Sequence, residues 1–372
     1  MLTGAIPLFI MGFGMADHNS DLSTRNQEVL RAVVNTFIET GDPVGSRTLS
    51  KKIPTHLSPA TIRNIMGDLA EAGFLTKPHA SAGRLPTDLG YRVFVDDLMN
   101  VHEVTPEEQE SIRRSYANRI VQLEQVVTQA SRILSKLTHQ AGIVLLPGKD
   151  QLFFRHIQFI RMSTENVLVV IVSKSGVVQN RVVPIEEDLN QEELDRISRF
   201  LNDEYGGLSL REVRSRILKR MGEERDHLDM LYRRAEELSR RAFLGDEDDV
   251  GDTLFVEGAS RVFTHPDFAG DFEKLQTLYA AFEEKGKLIS LLDGFLDSPD
   301  VTVLIGAEND IDGMSDCSVV ARSYFLGTRP LGTIGIIGPK RMRYDRMVSL
   351  VEWTAAAVSH YISHGDTGID PK

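Results

Sequence analysis

Apolar positions recur with a helical period through the first hundred residues, then with a strand period, then with both. Val29, Leu30, Val33, Phe37 and Ile38 share one helix face after Thr24-Arg25-Asn26-Gln27, which reads as a capping box; the helix stops at Thr40-Gly41. Asp42-Pro43-Val44-Gly45 is a loop, Ser46 caps a short helix over 47–52, and Ile53-Pro54-Thr55-His56 turns into the next element. That element organises the chain. Ser58 is an N-cap residue and Pro59 occupies the first helical position, where its missing N–H costs nothing. Ile62, Ile65, Met66, Leu69 and Gly73 then fall on one face. The opposite face carries Ala60, Asn64 and Gly67, flanked by Thr61 and Arg63, and is small and polar.

Gly73 ends this helix, Phe74–Lys77 reads as a short strand, and the tight segment 78–83 returns the chain into Arg84-Leu85-Pro86. Helices with a polar outward face, followed by a basic-tipped hairpin, follow the plan of a winged helix-turn-helix. The second helix of that plan enters the DNA major groove, and the wing lies along the backbone or minor groove. A plain helix-plus-hairpin packing unit is the alternative.

Thr87 caps a helix through Tyr91, Phe94, Val95 and Leu98. Thr105-Pro106-Glu107-Glu108 is a second capping box. It opens a long linker helix whose Tyr116, Ile120, Leu123, Val127, Ala130, Leu134 and Leu137 form a heptad seam. The seam pairs with another protomer or lies on the next domain; the second is favoured, because it runs only about three heptads. Strands are predicted at 143–146, 153–159, 167–171 and 177–183 with a turn at 173–176, then a helix at 192–201. Strands return only at 301–305, 318–324 and 332–337, before a last helix through Met347, Leu350, Val351 and Val358. Between them, 208–294 reads as mostly helical with an acidic tract at 246–249. The pattern is that of one α/β domain interrupted by a helical insertion. Gly332, Gly335 and Gly338 do not match a dinucleotide fingerprint and mark a strand with close backbone neighbours.

The apolar segment 1–16 has no Lys or Arg before Arg25, so it lacks the positive region of a secretory signal and is too short to span a membrane. It is expected to be a disordered extension, or an over-called start with Met11 or Met15 as the true one; no membrane role follows. A length of 372 residues suggests two or three domains, and 41% apolar with 26% charged residues is ordinary for a soluble protein. The single Cys317 excludes an intramolecular disulfide and fits a reducing, cytoplasmic setting. A net charge of −12 taken alone argues against nucleic acid. Its distribution reverses that: between Val44 and Arg92 there are seven basic residues against three acidic. A basic face on an acidic body confines DNA contact to one module.

Enzymatic chemistry has little support. The chain contains no Gly-x-x-x-x-Gly-Lys-Ser/Thr and no Gly-x-Ser-x-Gly, and its carboxylates are unpatterned. The ten histidines are scattered and no Cys-x-x-Cys occurs, so neither a metal site nor a cofactor is expected.

With Asp42-Pro43-Val44-Gly45-Ser46, the dense stretch 57–87 and Gly90-Tyr91-Arg92, the chain closely resembles the heat-inducible transcription repressor family HrcA. LFVEGASRVF at 254–263 and Pro266-Asp267-Phe268 extend the resemblance over nearly the whole chain; the first nineteen or so residues have no counterpart in the family pattern. The resemblance implies an α+β multidomain protein. An extension (1–20) precedes a winged-helix domain (21–100) and a linker helix (101–140). A GAF-like domain (141–207 and 295–365) is then interrupted by a dimerising insertion (208–294). It also implies a homodimer that represses chaperone operons at an inverted-repeat operator in double-stranded DNA. The chaperonin acts as modulator, and repression is lost on heat stress.

On the reader, Asn64 and Thr61 are the leading candidates for base edges, since an amide bonds adenine bidentately. Arg63 reaches guanine or phosphate from the flank, and Ala60 and Gly67 permit close approach. Ser46, Arg47, Lys51 and Lys52, the Ser58 helix start, and Lys77, His79 and Arg84 on the wing are placed to hold phosphate. Arg84 after Gly83 is the best wing candidate for entering a minor groove. Two other readings compete. One is a winged-helix regulator answering a small ligand in the GAF-like domain; the other is a GAF-type enzyme or sensor whose winged helix docks a protein.

Overall fold

The computed structural model describes residues 22–364 apart from 56, 80–81, 117–122, 147–153, 174–177, 186–188, 209–211, 214–215, 217–237, 239–253, 269–270 and 297. The N-terminal extension, Ile120 of the heptad seam, positions 174–176 of the predicted turn and the acidic tract lie outside the described residues. The architecture is mixed helix and sheet, α+β.

The N-terminal module contains α1 (Thr24–Thr40), α2 (Ser46–Leu49) and α3 (Pro59–Glu71), then β1 (Leu75–Thr76) paired antiparallel with β2 (Leu85–Pro86), then α4 (Asp88–Val93). One π-helical turn, Phe94–Leu98, extends α4. The cap of α1 is Ser23, one residue before the predicted box, and its side chain accepts the Asn26 N–H. At the other end Gly41 takes the left-handed conformation, and its N–H reaches the Phe37 carbonyl. Val29, Leu30, Val33, Leu49, Ile62 and Leu69 close a small core among the three helices.

The linker is two helices, not one. Helix α5 (Pro106–Ser115) begins with the predicted capping box and ends at Tyr116, and α6 (Leu123–Thr138) follows. Tyr116 stacks at a tilt 5.5 Å from Tyr361, and its hydroxyl donates to the Val126 carbonyl. The seam residues Leu123, Val127, Ala130 and Leu134 are buried in the chain's own core, as the domain-packing alternative required.

Strands β3 (Ala141–Leu145), β7 (Leu254–Glu257), β8 (Thr302–Ile305), β9 (Cys317–Leu326) and β10 (Arg329–Pro339) form an antiparallel sheet in the order β7-β3-β10-β9-β8. On one face lie α6 and α11 (Tyr344–His364), continuous with the core of the N-terminal module. On the other lie α8 (Ala259–Phe263), α9 (Phe272–Glu283) and α10 (Lys285–Asp293). Gly332 and Gly335 sit where a Cβ would collide with the carbonyls of Leu145 and Val320, which accounts for glycine in the middle of β10.

Strand pairing divides the chain differently from the predicted grouping. Strands β4 (Phe154–Arg161), β5 (Asn166–Ser173) and β6 (Val178–Pro184) do not join β3; they form a separate three-stranded sheet backed by α7 (Gln191–Tyr205), with its own core around Phe154, Ile157, Phe159 and Ile197. Residues Leu254–Glu257, read as part of a mostly helical insertion, instead form strand β7, which with helices α8 to α10 belongs to the five-stranded sheet and its cover. The burial patterns explain both. Every residue of β3 and β8 is buried, as in a sheet covered on both faces, whereas β4 and β5 alternate, as in a sheet covered on one.

Candidate nucleic-acid interface

Helix α3 turns Ile62, Ile65, Met66 and Leu69 inward, so Ala60, Thr61, Arg63 and Asn64 are all exposed on its other side. Its start is tightly built. Ser58 Oγ accepts the Thr61 N–H at 3.1 Å and lies 2.9 Å from the Thr61 hydroxyl, and Pro59 fills the first helical position. Gly67 has open space where a Cβ would stand, so nothing in the chain itself demands glycine there.

Helix α2 supplies the flank. Arg47, Lys51 and Lys52 are exposed, and Lys52 pairs with Glu39 at 2.6 Å, a solvent-facing contact that phosphate can replace at little cost. Ser46 departs from expectation: Gly45 occupies the cap position, and Ser46 is the first helical residue with its side chain buried. The helix is only four residues long, and that burial takes its hydroxyl away from the surface.

On the hairpin, Lys77 and His79 are exposed. Arg84 is not a free tip residue. Its N–H and carbonyl bond those of Val44, each at 2.9 Å, and its half-buried guanidinium donates from Nε to the Met66 carbonyl at 3.4 Å. Next to it, a Cβ on Gly83 would collide with the Val44 carbonyl, so the hairpin is fastened to the loop before α2.

The basic count also included Arg92, which points elsewhere. Its guanidinium binds Glu308 and Asp96 and donates from Nη2 to the Val303 carbonyl at 2.7 Å. Asp88 faces the same way, toward Lys340, so the two cancel and the module's positive excess on its outer surface is unchanged. Nothing in the spacing of Asp88 and Arg92 distinguishes an inward pair from an exposed i,i+4 pair.

Elsewhere the chemistry is quiet. Burial pushes the Cys317 thiol up to about 12, the wrong direction for a nucleophile. The histidines are not all scattered: His360 and His364 are spaced four apart on α11, and their rings stack at 4.4 Å. Among the described residues no group of three or more His, Cys, Asp or Glu side chains is placed to hold a metal ion, and no helix is long and apolar enough to cross a membrane.

Residues 124–348 match the family described as HrcA protein C terminal domain. The chain is 40% identical to the heat-inducible transcription repressor HrcA of Syntrophobacter fumaroxidans over 92% of its length and 98% of the relative's. It is also 40% identical to that of Geobacter sulfurreducens, over 92% and 99%. A crystal structure described as that of a hypothetical protein has a TM-score of 0.62 at 23% identity, covering 92% of this chain and 99% of the other, and so shares the fold. With a matched family domain over more than half its residues and such relatives along most of its length, the chain belongs to the heat-inducible transcription repressor family HrcA, a family of transcriptional repressors and not of enzymes.

Proposed function

We propose that this chain represses chaperone operons from the cytoplasm by binding an inverted-repeat operator as a dimer. In this reading residues 22–98 act as a winged helix, α3 reading the major groove and β1–β2 serving as the wing. The observation that carries it is the outward face of α3, where Thr61, Arg63 and Asn64 stand exposed, together with the exposed Arg47 and Lys51 in and just past the preceding helix. Amide and hydroxyl groups at the centre suit base edges, and cations at the border suit phosphate.

Two copies require a self-complementary surface, and the face of the three-stranded sheet that no helix among the described residues covers supports one. Cross-strand neighbours Ile160, Leu168 and Val182 form an apolar row there; Ile160 is 38% and Val182 53% exposed, and Met162 extends the patch. The insertion is accordingly assigned to the segment between β3 and β7, and the five-stranded sheet with its helices to the GAF-like unit. Modulation by the chaperonin, and release on heat stress, are carried by the family resemblance.

A nuclease footprint of the full chain on the source organism's chaperone promoters tests this. Paired protections related by a two-fold axis are expected; uniform protection, or none, would overturn the reading.

A further inference from the structure

Two charged residues of the N-terminal module face into the rest of the molecule. Asp88 Oδ1 accepts from Lys340 Nζ at 2.8 Å, and Oδ2 accepts the Ala307 N–H at 3.1 Å. One turn later Arg92 donates from Nε to Glu308 Oε1 at 2.9 Å and from Nη2 to the Val303 carbonyl. The receiving loop is shaped for this. Gly306 has φ +57°, and a Cβ there would strike the Asp88 carboxylate. Arg341 adds a third tie, held by Asp267 at 2.7 Å while donating to the Ile38 carbonyl near the end of α1.

The opposite side of α4 is joined as closely to the end of α3. A Cβ on Gly90 would collide with the Phe74 carbonyl, and Thr87 donates its N–H to that carbonyl at 3.1 Å. The Thr87 hydroxyl donates to the Gly73 carbonyl at 2.6 Å. Gly73 and Phe74 follow α3 directly. Tyr91, between Gly90 and Arg92, is buried 5.8 Å from the Tyr344 ring. Each residue of the Gly90-Tyr91-Arg92 run therefore touches a different neighbour: the root of the wing, α11, and the loop after β8. Apolar packing alone lets elements slide, whereas charge-assisted bonds that include backbone groups have one direction.

We propose that Asp88 and Arg92 are positioning residues that, through Lys340 and Glu308, set the direction of α3 and so the half-site separation that a dimer accepts. This rests on the dimeric operator-binding function proposed above. Lys51 and Asn64 act within one half-site; Asp88 and Arg92 act between two.

The test uses the full chain and a series of duplexes in which the two half-sites are moved apart by single base pairs, with an isolated half-site as reference. The parent is expected to prefer one separation, because two recognition helices on a rigid body match one phase of the duplex. Arg92→Met and Glu308→Gln are expected to flatten that preference by on the order of tenfold, with half-site affinity unchanged. Gly306→Ala, which displaces Asp88 without altering any charge, is expected to do the same. Glu308→Gln keeps the side-chain volume and guards against loss of fold, checked by circular dichroism. Folded variants with the parent's separation profile would overturn this proposal alone. A parent indifferent to separation would overturn it too, and a parent that binds no operator would remove the underlying function as well.

Discussion

Glu108 and Arg346 hold α5 against α11: the guanidinium Nη2 and Nε both reach Glu108 Oε1, at 2.6 and 2.9 Å. The other carboxylate oxygen accepts the Thr105 N–H at 3.0 Å, so one side chain both caps a helix and joins two. Burial opposes its charge, but the Thr105 N–H and the Arg346 guanidinium outweigh burial and hold the carboxyl below its ordinary range. A lowered folded value contributes stability that is complete above the unfolded pKa, about 4.3, and is lost as pH falls through the folded one. Glu108→Gln is therefore expected to melt with a shallower acid dependence than the parent below about pH 5. Calorimetry across that range checks it; identical slopes would rule it out.

Asn64 and Lys51 are both exposed, on α3 and just past α2, and are expected to fail in different ways. Asn64→Ala should cost on the order of 1–3 kcal/mol on the operator and relax discrimination at one base pair. Lys51→Ala should weaken all duplexes alike and reduce the salt slope by about one unit. Gel-shift titrations at several salt concentrations separate the two, and unchanged binding by both variants would mean that the assigned face is wrong.

Gly67 separates folding from recognition. With no atom within 4 Å of the site, Ala is accommodated, and Gly67→Ala should stabilise the free protein by up to about 1 kcal/mol through helix propensity. The same methyl group lies beside Asn64, at the surface assigned to the groove. Urea denaturation should show the gain; weaker operator binding alongside it would locate close DNA approach at this position.

The row Ile160–Leu168–Val182 predicts a change of assembly. Val182→Lys places a charge at the β6 end of the apolar row, on an already exposed position, and should leave the monomer's fold intact while shifting the proposed dimer to monomer. Sedimentation velocity reads the outcome directly. A variant that remains dimeric would put the contact on another surface.

Local elements were legible because their signals are local. Ser58-Pro59, Thr87 and Thr105-Pro106 each start a helix where a side-chain oxygen meets free N–H groups within four residues, and the observed caps at all three coincide with the reading. The polar face of α3 was visible for the same reason, since its period follows from the positions of Ile62, Ile65, Met66 and Leu69. Ser46 was misplaced because the preceding Gly45, in an extended conformation and with no side-chain cap bond, occupies the cap position, and one residue's shift turns the hydroxyl inward.

Thus the order of residues by itself determined most of the helices and strands and which faces are polar, because capping and periodicity act within a few bonds; strand β7, in a segment that reads as helical, needed the neighbour β3 to define it. Only the tertiary structure decided which sheet each strand joins, that Arg84 is fastened to Met66, and that Asp88 and Arg92 turn to Lys340 and Glu308 across more than two hundred residues. A hydrogen bond or ion pair depends on distance in space, and no spacing along the chain encodes the partner that folding brings within 3 Å.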